Sequence, residues 1–135
     1  MTHARPETTD GTVLCGVEPQ LYVRDMERAI RFYGDKLGFA AVFRHGDPPF
    51  YAQIARDGIR LNLRRVDGPV FDAGFRRRES DALSATIVVE NAKPLFLEYQ
   101  DSGVVFHQKL RREPWGAVTF IVADPDGNLI AFAGR

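Results

Sequence analysis

Asp124-Pro125-Asp126-Gly127-Asn128 is the stretch on which the reading of the whole chain turns. Pro125 presets φ for the second position of a type I turn, Asp124 can cap the turn from its first position, and Gly127 relieves crowding at the fourth. Gly116-Ala117-Val118-Thr119-Phe120-Ile121-Val122-Ala123 precedes it and Leu129-Ile130-Ala131-Phe132-Ala133 follows. Both flanks are rich in the β-branched and aromatic residues that suit a pleated surface, so a hairpin is expected. Asp57-Gly58-Ile59-Arg60-Leu61-Asn62-Leu63 has the same form as Asp126-Gly127-Asn128-Leu129-Ile130-Ala131-Phe132: an Asp-Gly turn feeding a short alternating strand. The chain is expected to contain one unit twice.

Moving outward from the turns, the landmarks of each unit correspond. Leu21 and Val23 alternate with Gln20 and Tyr22 as in a strand with two unlike faces. Asp25 follows as a helix N-cap, Met26, Ala29, Ile30, Tyr33 and Leu37 recur at helical spacing, and Gly38 is placed to end the helix in a left-handed conformation. Strands are then expected over 39–44, 50–55 and 59–65, with a loop over 45–49. In the second unit a strand over 84–89 leads to Asn91 as N-cap. Pro94 falls in the first helical turn, Leu95, Phe96 and Tyr99 supply an apolar side, and Gly103 closes the helix. A strand over 104–110, a loop over 111–114 and the closing hairpin complete it. The expected division is an arm over 1–12, a first module over 13–66, a connector without sustained period over 67–81 and a second module over 82–135. The connector's run Arg76-Arg77-Arg78-Glu79 reads as a solvated face.

Composition narrows the function classes. The chain has 135 residues, with 18 basic and 18 acidic side chains, so no global field draws it to nucleic acid or an anionic membrane. Its apolar runs are too short to span a bilayer, and residues 1–10 lack the apolar centre of a secretory signal. A single cysteine, Cys15, offers neither an internal disulfide nor a multi-cysteine metal site, which points to a reducing cytoplasm and a buried, inert thiol. No Gly-rich phosphate loop, Ser-His-Asp pattern or CxxC is present.

Leu21-x-Val23-x-Asp25, Phe32-Tyr33, Leu37-Gly38-Phe39, Trp115-Gly116 and the Asp124 to Asn128 turn together resemble the vicinal-oxygen-chelate superfamily of glyoxalases, extradiol dioxygenases and bleomycin resistance proteins. The resemblance runs from Val17 to Ala133. It implies an α+β fold of two βαβββ modules, each curling a sheet around a concave inner face and often paired with a second subunit. Metal-dependent members carry ligands at positions matched here by Glu18, Asn62, Ser84 and Ala131. Only Glu18 is a good ligand, and a catalytic site needs about three protein ligands. No metal and no cofactor are therefore expected. His3, His45 and His107 fall at none of the four positions. Pro19, the segment Arg56 to Leu63 and the Asp-Pro-x-Gly-Asn ending look most like the bleomycin resistance proteins, which lack the metal set and sequester a drug between subunits.

That likeness implies a homodimer that binds a planar or amphipathic small molecule and performs no chemistry on it. Alternation places Leu21, Val23, Ile59, Leu61 and Leu63 against the helix, and places Glu18, Gln20, Tyr22, Arg60, Asn62, Arg64, Ser84, Thr86 and Val88 on a largely polar inner face. Glu18 and Arg60 read either as ligand contacts or as partners of one another. Phe43, Phe50, Tyr51 and Phe106 lie near strand ends, where a cleft or subunit contact would use them, while Phe32 reads as core. Trp115 reads as a packed edge residue or a stacking wall. Arg60 and Arg64 would favour an anionic group over a cationic drug. Two alternatives stay open: an enzyme with Glu18 as metal ligand or general base, and a protein that kept the fold without a site.

Overall fold

A computed structural model describes residues 11–135, so most of the expected arm, with His3, lies outside the described residues. The first unit comprises β1 (Gln20–Val23), α1 (Met26–Asp35), β2 (Ala40–Gly46), β3 (Pro49–Arg56) and β4 (Ile59–Arg65). A short helix α2 (Ala73–Arg78) follows, and the second unit comprises β5 (Ala85–Val88), α3 (Ala92–Asp101), β6 (Phe106–Arg112), β7 (Val118–Ala123) and β8 (Leu129–Gly134). Each unit builds one open four-stranded sheet, ordered β1-β4-β3-β2 and β5-β8-β7-β6. In each, the first strand runs parallel to the last and the remaining pairs are antiparallel. The fold is α+β, with the βαβββ unit present twice as the matching turns predict.

Local chemistry explains the elements. Asp25 caps α1 by accepting the Arg28 N–H at 3.1 Å, and the apolar stripe of Met26, Ala29, Ile30 and Tyr33 is buried. Gly38 ends the helix at φ +80°, a backbone conformation that calls for glycine. Leu21, Val23, Ile54, Leu61 and Leu63 from the first sheet share one core with Phe120, Val122, Ile130 and Phe132 from the second, joined by Tyr33 and Tyr99 from the helices. Each such side chain contributes about 1.5 to 3 kcal/mol by leaving water. The Phe120 and Phe132 rings stack at 5.0 Å.

Polar contacts also tie the units together. Tyr33 donates its hydroxyl to Asp124 Oδ2 at 2.8 Å, and Arg28 Nη2 donates to Asp126 Oδ1 at 3.2 Å. Asn128 Nδ2 donates to the Tyr22 carbonyl at 2.9 Å. In the reciprocal direction Tyr99 donates to the Leu37 carbonyl at 2.9 Å, and Arg56 grips Glu98 through two bonds of 2.7 and 3.0 Å.

Several expectations need correction, among them the buried thiol: Cys15 precedes β1 and is exposed. The connector is not featureless: Asp72 Oδ2 accepts the Phe75 N–H at 2.9 Å and nucleates α2. Its charge run is not wholly solvated, because Arg76 lies 4.2 Å from the Phe71 ring centroid and donates to the Gly127 carbonyl at 3.2 Å. The loop expected over 45–49 shrinks to Asp47 and Pro48 as β2 and β3 extend into it. β6 likewise reaches Arg112, into the expected loop. Asn91 occupies the N-cap position of α3 but makes no side-chain capping bond. Phe106 is partly buried against the core, with Phe96 and Phe120 at 4.6 and 5.8 Å. Ile59, at the rim of its turn, is 38% exposed and not sealed under the helix.

Candidate ligand-binding site

The inner face of the first sheet carries a connected set of polar side chains. Register places Gln53 beside Asn62, and Asn62 beside Gln20 on the parallel strand, so these side chains emerge from one face. Gln53 Nε2 donates to Asn62 Oδ1 at 2.9 Å and to Glu18 Oε1 at 3.2 Å, while Asn62 Nδ2 donates to the same Glu18 oxygen at 3.3 Å. Arg60 Nη1 donates to Gln53 Oε1 at 2.7 Å. Glu18 and Arg60 therefore do not pair directly; the Gln53 amide lies between them, accepting from one and donating to the other. Gln53 was not among the residues singled out from the sequence, although its alternation with Ala52 and Ile54, both fully buried, placed it on this face.

Aromatic groups border the network. Phe43 and Tyr51 approach to 6.0 Å between centroids, and Phe43 is paired in register with Gln53. Phe50 packs edge-on against His45 at 5.4 Å, with the Arg64 guanidinium 5.7 Å from its centroid. Gln20 Nε2 and the Tyr22 hydroxyl stand 3.5 Å apart on β1, and Tyr22 is 45% exposed. Trp115, 76% exposed in the loop before β7, is not a packed edge residue.

The second sheet differs on its inner face. Ile121, Leu129 and Ala131 form a small buried apolar cluster separate from the main core, so the expectation of a largely polar face holds for the first sheet and only partly for the second. Polar groups gather at its side: Thr119 donates to Glu113 Oε1 at 2.8 Å, Arg111 Nε donates to the same oxygen at 2.7 Å, and Gln108 Nε2 donates to Thr119 at 3.0 Å. Arg111, followed by the Thr119 hydroxyl, holds the Glu113 carboxyl below its ordinary range. Nothing at the sequence level marked Glu113, because its partner Thr119 is brought to it by the fold-back of β6 onto β7.

The four positions that match metal ligands do not fit a metal. Ala131 has no donor atom and lies 6% exposed in the apolar cluster. Ser84 donates its hydroxyl to Asn128 Oδ1 at 2.9 Å, and Asn62 is committed to Gln53 and Glu18. Glu18 alone keeps an oxygen without a protein partner among the described residues. A divalent transition ion needs more donors than this set supplies.

The two sheets share no ladder. A hollow of about 840 Å³ lies where they meet, bordered by Glu18, Arg60, Thr86 and Val88. Among the described residues, neither Arg60 nor Arg64 is in an ion pair. No described helix is long and apolar enough to cross a membrane.

Comparison with known proteins agrees with the fold. The family profile described as "Glyoxalase/Bleomycin resistance protein/Dioxygenase superfamily" matches residues 15–132. A "Bleomycin resistance protein" of Geobacillus stearothermophilus is 31% identical over 128 residues, spanning 84% of this chain and 92% of the relative. A protein of the same name from Staphylococcus aureus matches with the same identity and coverage. Among solved structures, a bleomycin-binding protein from bleomycin-producing Streptomyces verticillus, complexed with copper(II)-bleomycin, superposes with a TM-score of 0.72 at 23% identity. The match covers 93% of this chain and 99% of that one.

Proposed function

The chain belongs to the glyoxalase/bleomycin resistance protein/dioxygenase superfamily, and from that premise we propose that it binds a small molecule without chemistry, in a cleft closed by a second copy of itself. The observation that carries the reading is a sheet face on which the aromatics Phe43 and Tyr51 stand beside the Glu18–Gln53–Asn62–Arg60 network, with Phe50 and the Arg64 guanidinium at the strand end. Aromatic walls supply affinity through buried area, and a few polar groups fix orientation. Ser84, Gln20, Tyr22 and Trp115 extend this surface. A second chain, laying the apolar floor of its second sheet opposite the first sheet, would exclude water from both.

The relatives named for bleomycin resistance support sequestration as the mode of action. The ligand's charge is a separate matter. The inner faces present Arg60, Arg64 and Arg111 against Glu18 and Glu113, and the two arginines without ion pairs favour an anionic group on an aromatic body.

Titration of the purified chain with bleomycin, and in parallel with the aromatic sulfonate 8-anilinonaphthalene-1-sulfonate, followed through Trp115 fluorescence, tests the reading. Saturable quenching that is unchanged by chelator is expected, with the sulfonate binding more weakly to Arg60→Ala. Near-stoichiometric metal accompanied by turnover, or no saturable response to either compound, would overturn it. Sedimentation equilibrium should give twice the chain mass.

A further inference from the structure

A second concavity lies on the helix side of the sheets, where the two units meet, and none of the inner-face network belongs to it. This groove of about 630 Å³ is walled by Phe39 and Ile59 from the first unit and by Val89, Pro94 and Leu95 from the second. Its volume is that of a site for a drug-sized molecule. Its charged lining is Arg56, Asp57, Glu90 and Glu98, three carboxylates against one guanidinium, an excess of two negative charges.

The single guanidinium is already committed. Arg56 holds Glu98 through bonds of 2.7 and 3.0 Å and donates to the Leu37 carbonyl at 2.8 Å. Among the described residues Asp57 is reached only by Arg56 Nε at 3.6 Å, and its side chain is 88% exposed. Glu90 is exposed and in no ion pair among the described residues. The rim therefore offers two carboxylates with nothing strong to neutralise them, beside an apolar wall.

We propose that this groove binds an amphipathic organic cation, its apolar body lying against Ile59, Val89, Pro94 and Leu95 and its positive charge beside Glu90 and Asp57. A charge placed next to an apolar wall is partly desolvated, so its interaction with the rim is stronger than between two fully hydrated ions. The sign is the reverse of that favoured by the inner faces. One molecule thus carries two ligand surfaces of opposite preference that adjoin at Ile59 and Val88, and occupation of the groove bridges both units.

Two isosteric probes of opposite charge separate the surfaces. The full chain, labelled at its Ile, Leu and Val methyl groups, is titrated with tetraphenylphosphonium and with tetraphenylborate and followed by NMR. The expected result is saturable shifts at Val89 and Leu95, which line the groove and not the hollow, with the phosphonium and none there with the borate. Glu90→Lys combined with Asp57→Asn should weaken the phosphonium at least about fivefold while leaving the methyl spectrum of the core unchanged. The proposal is overturned if the borate moves the same methyls, if the phosphonium moves Ile121 and Leu129 on the inner face instead, if neither compound saturates, or if the double variant binds as tightly as the parent. Failure of the inner-face reading leaves these outcomes unaffected, because none of the groove residues contributes to that network.

Discussion

The two Asp-Gly turns look alike in sequence and do opposite things in the fold. Asp57 and Gly58, at φ +50° and +80°, form a two-residue turn between β3 and β4, and the Asp57 side chain is 88% exposed. At the other turn the Asp126 side chain is 1% exposed and Asp124 and Asn128 are buried. Asp124 Oδ1 accepts the N–H groups of Asp126 and Asn128, each at 2.9 Å, and Oδ2 accepts from Tyr33 and from Asn128 Nδ2. The same unit used twice has thus become a solvent turn in one copy and a clasp between copies in the other. The strand order recurs in both units, but the turns themselves differ. One has two residues, Asp57 and Gly58, both at positive φ; the other is the stretch Asp124 to Asn128, in which only Gly127 is, and this longer turn reaches the neighbouring unit.

The largest effect should come from opening the clasp. Asp124→Ala leaves the buried Tyr33 hydroxyl and two backbone N–H groups without acceptors, and a loss of roughly 3 to 5 kcal/mol is expected in urea unfolding. A loss below about 1 kcal/mol would reduce this turn to the rank of the first. Burial pushes the Asp124 carboxyl above its ordinary range, against the pull of hydrogen bonds from Asn128 and Tyr33. The sign follows from linkage: a raised carboxyl pKa contributes stability at low pH that fades as pH rises through the raised value.

Arg28→Ala comes next. It removes the cation from an almost fully buried Asp126 carboxylate; among the described residues its Oδ2 has no partner and its Oδ1 then keeps only the Arg24 N–H, at 3.1 Å. A loss of about 1 to 2 kcal/mol is expected. A double-mutant cycle with Asp126→Ala should return a coupling of similar size, and a coupling near zero would show the pair to be incidental.

The reciprocal clasp, Arg56 to Glu98, should be weaker because Glu98 is half exposed. The hydrogen bond from Arg56 holds the Glu98 carboxyl below its ordinary range. Its contribution is therefore present above the ordinary glutamate pKa and lost as pH falls through the lowered one, opposite in sign to that of Asp124. Glu98→Gln should cost under about 1 kcal/mol at neutral pH and converge with the parent in acid. Parallel stability curves across that range would refute the assignment.

The smallest effect belongs to the first turn. Asp57→Asn should stay within about 0.5 kcal/mol, since asparagine tolerates positive φ, whereas Asp57→Ala should cost about 1 kcal/mol or slightly more. Equal costs for Asp57→Ala and Asp124→Ala would erase the distinction between the turns.

Much of this molecule was legible along the chain because it rests on local rules. Alternation separated Leu61 and Leu63 from Arg60 and Asn62, helical spacing picked Ala29 and Tyr33, and paired turns exposed the repeat. Misreadings arose where a side chain's partner is distant in sequence. Gln53 was passed over because its role requires Asn62 and Glu18 on other strands. Glu113 carries no local mark because Thr119 reaches it only through β-pairing, and the Arg76 run looks solvated in sequence because Phe71 and Gly127 meet it only in the folded chain. Asn91 shows the converse, a good capping residue whose side chain makes no cap bond.

By itself the sequence determined the order of the elements, the βαβββ unit and its repetition, the helix-facing stripes and the poverty of metal donors at the family's ligand positions. These follow from φ preferences, side-chain periodicity and residue chemistry, all of which act within a few residues. Only the tertiary structure decided that Gln53 separates Glu18 from Arg60, that the second turn clasps α1, and that a carboxylate-rimmed groove opens between the units. Each of these depends on distances between segments up to a hundred residues apart, which packing of a shared core sets and no local pattern encodes.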